Sequence, residues 1–427
     1  MRLEDVFGIG PGKLATYVKR GADDVFEQCL QSKKHIVLHG SSKQGKTSLR
    51  KRYLTENEAI VVSCQSNWDL PQLYLSILRR AGCHPVLTQE RSASGHNMIR
   101  FQIGLPGVGH FEVGRQPTDL ERTEYRHQSV DPNDPNDVID GLKAIKFSKW
   151  IVVEDFHYLP PETQQEFATH LKAFFDESSI RFLLIAIWIG RNRITSLGDL
   201  AGRVIPVDAD FWPDFDLREV IERGEKALNI RFAPECKKAI IAAAGGSVYI
   251  LQSLCYGICQ LGEIFERQSK LVEVGHERQI RPVLDEAVNQ LSAHYQSFLQ
   301  AFSQGMRAAQ LEMNKWILYA VLTATEDKLR QGLHFNDIDQ AIKKRHPRGK
   351  DLNSANLRNA LVKVDDLQWT KNIKPFVIDY DEATRRLYIV DKSFYLWRKH
   401  QNRRDLLSCI DLTETDGDRE TTVQRRR

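Results

Sequence analysis

The run Gly40-Ser41-Ser42-Lys43-Gln44-Gly45-Lys46-Thr47-Ser48 constrains this chain more than any other stretch. It has the spacing GxxxxGK[ST], in which the glycines let main-chain N–H groups turn inward around a chain of phosphates. A short apolar run, residues 35–39, precedes it and reads as a buried parallel strand; residues 47–54 have a helix's composition. Strand, glycine-rich turn and helix in that order call for a parallel α/β sheet with the turn at its carboxyl edge. Residues 40–48 are therefore candidate phosphate ligands. Lys46 would reach the β and γ phosphates, and the Thr47 hydroxyl would serve Mg2+.

A phosphate loop binds but does not hydrolyse unaided, because one carboxylate must hold the metal's water shell and another must polarise the attacking water. Trp150-Ile-Val-Val-Glu154-Asp155 supplies both after an apolar run. Glu154 is the candidate metal-side carboxylate and Asp155 the candidate general base; the plainer alternative is two acids opening a surface loop. The α/β rhythm continues around them, with strands at 59–63, 150–153 and 182–189 and helices at 69–81, 135–145 and 161–176. Residues 85–134, rich in glycine, proline and polar side chains, read as an insertion, with a hairpin over 98–113 folded around Leu-Pro-Gly-Val-Gly. That hairpin would act as a probe for DNA or for a partner, or as a solvent-exposed embellishment.

A chain of 427 residues with 41% hydrophobic side chains suits several domains. The α/β unit is placed at 1–212 and a helical subdomain at 213–300. Residues 306–405 show three helices followed by two alternating runs, the pattern of a winged helix-turn-helix. Residues 413–427 read as a solvated tail. In the winged unit the segment 354–364 is the candidate recognition helix, offering Arg358 and Lys363 to double-stranded DNA, with Lys343, Lys344 and Arg345 for backbone phosphates. Residues 326–427 carry 22 Lys and Arg against 17 Asp and Glu, a net +5 within an overall +4. Asp365 and Asp366, which would close the same helix, count against DNA, and a protein partner is the other reading.

No run of about 18 apolar residues suggests a membrane span, and the charged amino terminus lacks a secretory pattern. The expected compartment is cytoplasmic. Seven cysteines form no CxxC pair and are expected to pack in the core. The histidines of the insertion share no metal-ligand spacing.

Together, HGSSKQGKTSL, IVVEDFHYL, DLAGRVIPV and AAAGGSVYILQSL resemble the AAA+/STAND division of P-loop ATPases, notably origin-recognition-like and bacterial STAND-type proteins ending in a winged helix. The resemblance spans roughly 15–400, with the insertion unmatched. It implies an AAA+-like P-loop NTPase sheet with a helical lid subdomain and a C-terminal winged helix-turn-helix. It also implies that Tyr17 and Arg20 lie near adenine, that Asn192 is a polar sensor beside the γ-phosphate, and that Arg203 is an arginine finger acting in cis or in trans. Arg203 read by itself is as consistent with a surface arginine. Where many AAA+ proteins place a second-sensor arginine after a glycine, this chain reads Gly246-Ser-Val-Tyr249. That departure points to slow hydrolysis.

The function expected is an ATP- and Mg2+-dependent ATPase serving as a switch or remodeller on DNA, in replication, transposition or anti-phage defence, with self-association open. The alternative is a DNA-binding regulator or protein scaffold that binds nucleotide with little turnover. A small-molecule kinase is disfavoured, since the helical and winged regions would have no task.

Overall fold

The structure is a computed structural model and describes residues 1–10, 15–91, 97–106, 125–187, 200–305, 311–349 and 352–413. Two helices, α1 (Leu3–Phe7) and α2 (Gly21–Leu30), precede β1 (His35–His39), α3 (Lys46–Tyr53), β2 (Ala59–Ser63) and α4 (Leu70–Arg80). Next come β3 (His84–Arg91), β4 (Asn97–Pro106) and β5 (Tyr125–Val130). The alternation resumes with α5 (Pro135–Ala144), β6 (Trp150–Glu154), α6 (Pro161–Glu177), β7 (Phe182–Ile185) and β8 (Val204–Asp208).

Five of these strands form one parallel sheet in the order β2-β6-β7-β1-β8. Parallel strands need crossover helices on the faces, so both faces are covered and β1 is buried at every residue. Alternation sorts the side chains: Ile36 and Leu38 enter one core with Leu49, Val152 and Val207, while Val37 enters the other with Val153, Phe167 and Leu184. Local signals start the helices where the sheet needs them. Asp69 and Gln72 form a capping box at α4, and Asp134 caps α5 just before Pro135.

A mainly helical region follows: α7 (Asp214–Leu228), β9 (Ile230–Phe232), α8 (Pro234–Ala244), α9 (Val248–Leu261), β10 (Val272–Val274) and the 28-residue α10 (Glu277–Gln304). The chain then forms α11 (Met313–Thr323), α12 (Glu326–Arg330), β11 (Leu333–His334), α13 (Phe335–Arg345), α14 (Ser354–Val362), α15 (Val364–Thr370), β12 (Ile378–Asp381), β13 (Arg386–Ile389), α16 (Ser393–Lys399) and α17 (Arg403–Ser408). Its three strands pair antiparallel in the order β11-β13-β12.

One hydrophobic core joins these last two regions, running from Leu217, Ile250 and Leu254 through Phe298 to Trp316, Leu357, Phe394 and Trp397. Helix α10 is the spine of that core. Its Tyr295 hydroxyl donates to Asp391 Oδ2 at 2.8 Å, and its Ser292 Oγ accepts from Trp397 Nε1 at 3.0 Å.

Three sequence expectations change. Helix α1, counted with the α/β unit, packs instead in the helical core, where a Cβ on Gly224 would meet the Phe7 ring at 2.0 Å. Leu105 and Pro106, expected in the turn of a hairpin over 98–113, instead continue β4, which pairs with β3 on one side and β5 on the other; residues 107–113 lie outside the described residues. Alternation marks a strand but does not say which strand it pairs with. Finally, the helix expected over 354–364 breaks at Lys363, so Asp365 and Asp366 open α15 rather than close α14. Acids at a helix start suit its dipole.

Candidate functional site

The turn between β1 and α3 is shaped by two glycines. Gly40 has φ +141°, and a Cβ there would stand 2.9 Å from the Asp210 nitrogen; Gly45 has φ +81°. Both conformations suit residues without a Cβ. The loop is then braced from below. Ser41 N–H donates to Asp210 Oδ1 at 2.7 Å, and Trp212 Nε1 donates to Gln44 O at 3.2 Å. Lys46 Nζ, buried, donates to Gly40 O and Ser41 O at 2.8 and 2.6 Å. Burial pulls its pKa down to about 8, against the attraction of Asp210 and Asp155. The first-turn amides of α3 have no intrahelical acceptors and face the cavity with the helix dipole behind them.

All five sheet strands run the same way, so the turn after β1 and the acids after β6 share one edge, separated by the end of β7. They line a cavity of about 300 Å3 with Ser42–Ser48, Glu154, Asp155, His157, Ile185–Ile187, Val248, Tyr249 and Gln252. Glu154 Oε1 accepts from Arg50 Nη2 at 3.0 Å. Asp155 stands at φ +58°, outside the conformations most side chains prefer. Its carboxyl is pushed above the ordinary range by desolvation first and by Glu154 second, against Lys46 and Lys374. Gln44, fully buried, leaves both side-chain polar atoms without a partner among the described residues. Buried orphan donors, a buried ammonium and two carboxylates form a set suited to a phosphate chain with a divalent cation, for which the Thr47 hydroxyl and Glu154 could supply oxygen ligands. A larger cavity, about 810 Å3, adjoins along Ile9, Gly10 and Tyr249.

The C-terminal elements close onto this edge. Ser42 N–H donates to Val390 O at 2.9 Å. Lys392 Nζ donates to Asp210 O at 2.7 Å and Gly246 O at 3.3 Å, and pairs with Asp210 Oδ2 at 3.1 Å. Burial alone would push the Asp210 carboxyl up, but Lys392 and Ser41 outweigh it and hold it below the ordinary range. Trp369 Nε1 donates to Tyr158 O at 3.1 Å, and Phe376 meets His157 and Tyr158 edge-on. None of these contacts was legible in the sequence, since nothing periodic links a loop near residue 42 to a strand end near 390.

No family model matches the chain, and no curated protein matches it. Among solved structures it is similar to the Aeropyrum pernix ORC1 protein in complex with DNA, at 12% identity and TM-score 0.44, over 95% of this chain and 96% of that one. It is also similar to the Walker-type ATPase PABY2304 of Pyrococcus abyssi, at 12% identity and TM-score 0.48, over 93% and 96%. Cdc6p from Pyrobaculum aerophilum is similar at 12% identity and TM-score 0.40, over 99% of each chain.

The remaining expected site residues divide. Gly40 and Ser41 lie behind the cavity wall, which begins at Ser42. Tyr17 and Arg20, expected near adenine, are not among the residues that line this cavity. The Tyr17 hydroxyl donates to Asp23 Oδ1, and the buried Arg20 guanidinium stacks 4.1 Å from the Trp212 ring and donates to Ala209 O. Arg20 thus supports the loop through Trp212, while Ile9, Gly10, Val248 and Tyr249 form the cavity wall in its place. Lys43 stands 4.0 Å from the Tyr249 ring, tying loop to helix α9. Asn192 lies outside the described residues.

Arg203 immediately precedes β8, opposite His35 at the amino end of the sheet, and bonds Asp176 through Nε and Nη2 at 3.0 and 3.1 Å. The phosphate loop is at the other end of the same strands, which corrects the reading of Arg203 as a finger within its own chain. Of the DNA candidates, Arg358, Lys363, Lys343 and Lys344 are exposed, and Arg358 pairs with Glu382 Oε2 at 3.8 Å. Lys343 is bonded to Asp339 and Ser354, and Arg345 to Thr413 O. Among the described residues no His, Cys, Asp and Glu cluster could hold a metal by itself, and no helix is long and apolar enough to cross a membrane. All seven cysteines are free, six of them buried.

Proposed function

We propose that this chain is an AAA+/STAND-like P-loop ATPase that binds ATP with Mg2+, hydrolyses it slowly, and uses the nucleotide to set the position of its C-terminal unit. One observation carries this reading: the cavity lined by Lys46, Glu154 and Asp155 is bounded by a loop whose Ser42 amide is capped by Val390 of that unit. Loop amides that turn toward phosphates are then energetically linked to the unit's docking. The nucleoside would extend past Tyr249 toward Ile9 and Gly10. Arg50 holds Glu154 by an ion pair, a partner that Mg2+ and its waters would have to share, which favours slow turnover.

The C-terminal unit, 306–405, is proposed as a winged helix with double-stranded DNA as its partner, contacted through Arg358 and Lys363 on and beside α14 and through Lys344 on α13. Phosphate contacts of this kind make binding fall steeply with salt. Replacing Arg358 and Lys363 together with alanine is the test; unchanged affinity and salt slope would move the partner from DNA to protein.

Asp155→Asn is expected to lower steady-state ATP turnover by at least ~100-fold, the scale of removing general-base assistance, while ATP still binds. Turnover that persists in this variant would assign the base elsewhere. Arg203→Ala should leave turnover unchanged at concentrations where the chain is monomeric. A rate that depends on Arg203 only at high concentration would place its action on a neighbouring copy.

A further inference from the structure

His157 occupies the short turn Phe156–Tyr158 just beyond Asp155. Its ring is 2% exposed and lines the cavity with Lys46, Asp155 and Ala186. Nδ1 accepts the Ile187 N–H at 3.4 Å, so the neutral ring carries its proton on Nε2. That Nε2 has no partner among the described residues. His35, a buried histidine of β1, shows the usual outcome: its Nδ1 accepts from Phe182 N–H at 3.1 Å and its Nε2 meets Leu171 O at 3.0 Å. A buried donor left unmatched costs stability, so such a group marks a place where a ligand supplies the acceptor.

We propose that His157 is a phosphate-sensing residue whose Nε2–H donates to a terminal phosphoryl oxygen of ATP that ADP does not possess. This rests on the nucleotide reading of the cavity. A triphosphate lying on the α3 amides extends its free end across β7 toward the acids, and His157 stands on that side with Asp155. Burial, and the nearby charges of Lys46 and Lys374, hold the imidazole pKa well below its ordinary value. The ring therefore acts as a neutral donor. The Phe376 ring from the C-terminal unit meets it at 5.9 Å and 78°, and Tyr158 at 4.0 Å. A shift of the imidazole toward the phosphate would alter the surface on which that unit rests.

The test measures Kd for ADP and for a non-hydrolysable ATP analogue, both with Mg2+, in the wild-type chain, His157→Phe and His157→Gln. His157→Phe is expected to lower the preference for the triphosphate about tenfold with ADP affinity unchanged, and His157→Gln, which keeps an N–H donor, to restore much of it. His157→Met gives the same comparison should the phenyl ring not be accommodated. A preserved preference in the apolar variants, or equal weakening of both nucleotides, overturns the proposal alone. A wild-type chain that binds neither nucleotide overturns the nucleotide reading, and this proposal with it.

Discussion

Lys46→Ala is expected to weaken ATP binding by about 10- to 150-fold, the equivalent of about 1.5–3 kcal/mol for a charge-assisted hydrogen bond. The unliganded fold should survive, and the sign of the lysine's pKa shift says why. Its amine titrates near 8 instead of its ordinary 10.5, because burial disfavours the ammonium. Below pH 8 the charged lysine therefore lowers the stability of the folded state, and that penalty fades as pH rises toward 10.5. Alanine removes the penalty at pH 7 together with the ligand contact. A triphosphate would also draw the proton back, so ATP binding at pH 8–9 should take up protons in the wild-type chain and not in Lys46→Ala. Calorimetry in buffers of different ionisation enthalpy checks both parts. Equal affinity and equal proton uptake in the variant would remove Lys46 from the site.

The second large effect concerns the C-terminal unit. Lys392 joins three parts of the molecule: its own unit, Asp210 beside the phosphate loop and Gly246 at the start of the α9 segment. Lys392→Glu places a carboxylate against Asp210, whose Oδ1 still holds Ser41 N–H. Breaking a fully buried pair costs about 3–5 kcal/mol; here the side chains are 15% and 20% exposed, so about 2 kcal/mol, ~30-fold in the docking equilibrium, is expected. Spin labels on α2 and α14 should report a longer, broader distance, and bound nucleotide should leave faster. An unchanged distance distribution would mean that the shared core, not Lys392, holds the unit in place. Because the Asp210 carboxyl is held below its ordinary range, the ion pair contributes at neutral pH and is lost only as pH falls through that depressed value.

What the sequence made legible was local chemistry. The phosphate loop sits between a buried strand and a helix because Gly40 and Gly45 permit backbone angles that few other residues tolerate, and that requirement is written in the spacing. The acids of the Trp150–Asp155 run reached the same edge because parallel strands share a direction, so a motif at each strand end was enough to bring Lys46 and Asp155 together. The surroundings of Tyr17 and Arg20 were not legible, because no local pattern announces them. Their neighbours are Asp23, Trp212 and Ala209, and a guanidinium stacked on an indole supports the loop from behind without touching the cavity. The strand β4 shows the limit of alternation, which gave the strand and not its partners. Val390, Lys392 and Phe376 were invisible because their partners lie nearly the whole chain away. His157 stood inside a quoted motif, yet an orphaned ring nitrogen becomes apparent only when its neighbours are in place.

The most direct test is a calorimetric titration of ATP into the intact chain with Mg2+ and again with the metal chelated. Saturable binding at one site per chain, strengthened by Mg2+ and with that strengthening lost in Glu154→Gln, is the result expected if loop and acids meet around one metal–triphosphate. Absence of saturable binding up to millimolar ATP, or affinity indifferent to both Mg2+ and Glu154, would contradict it.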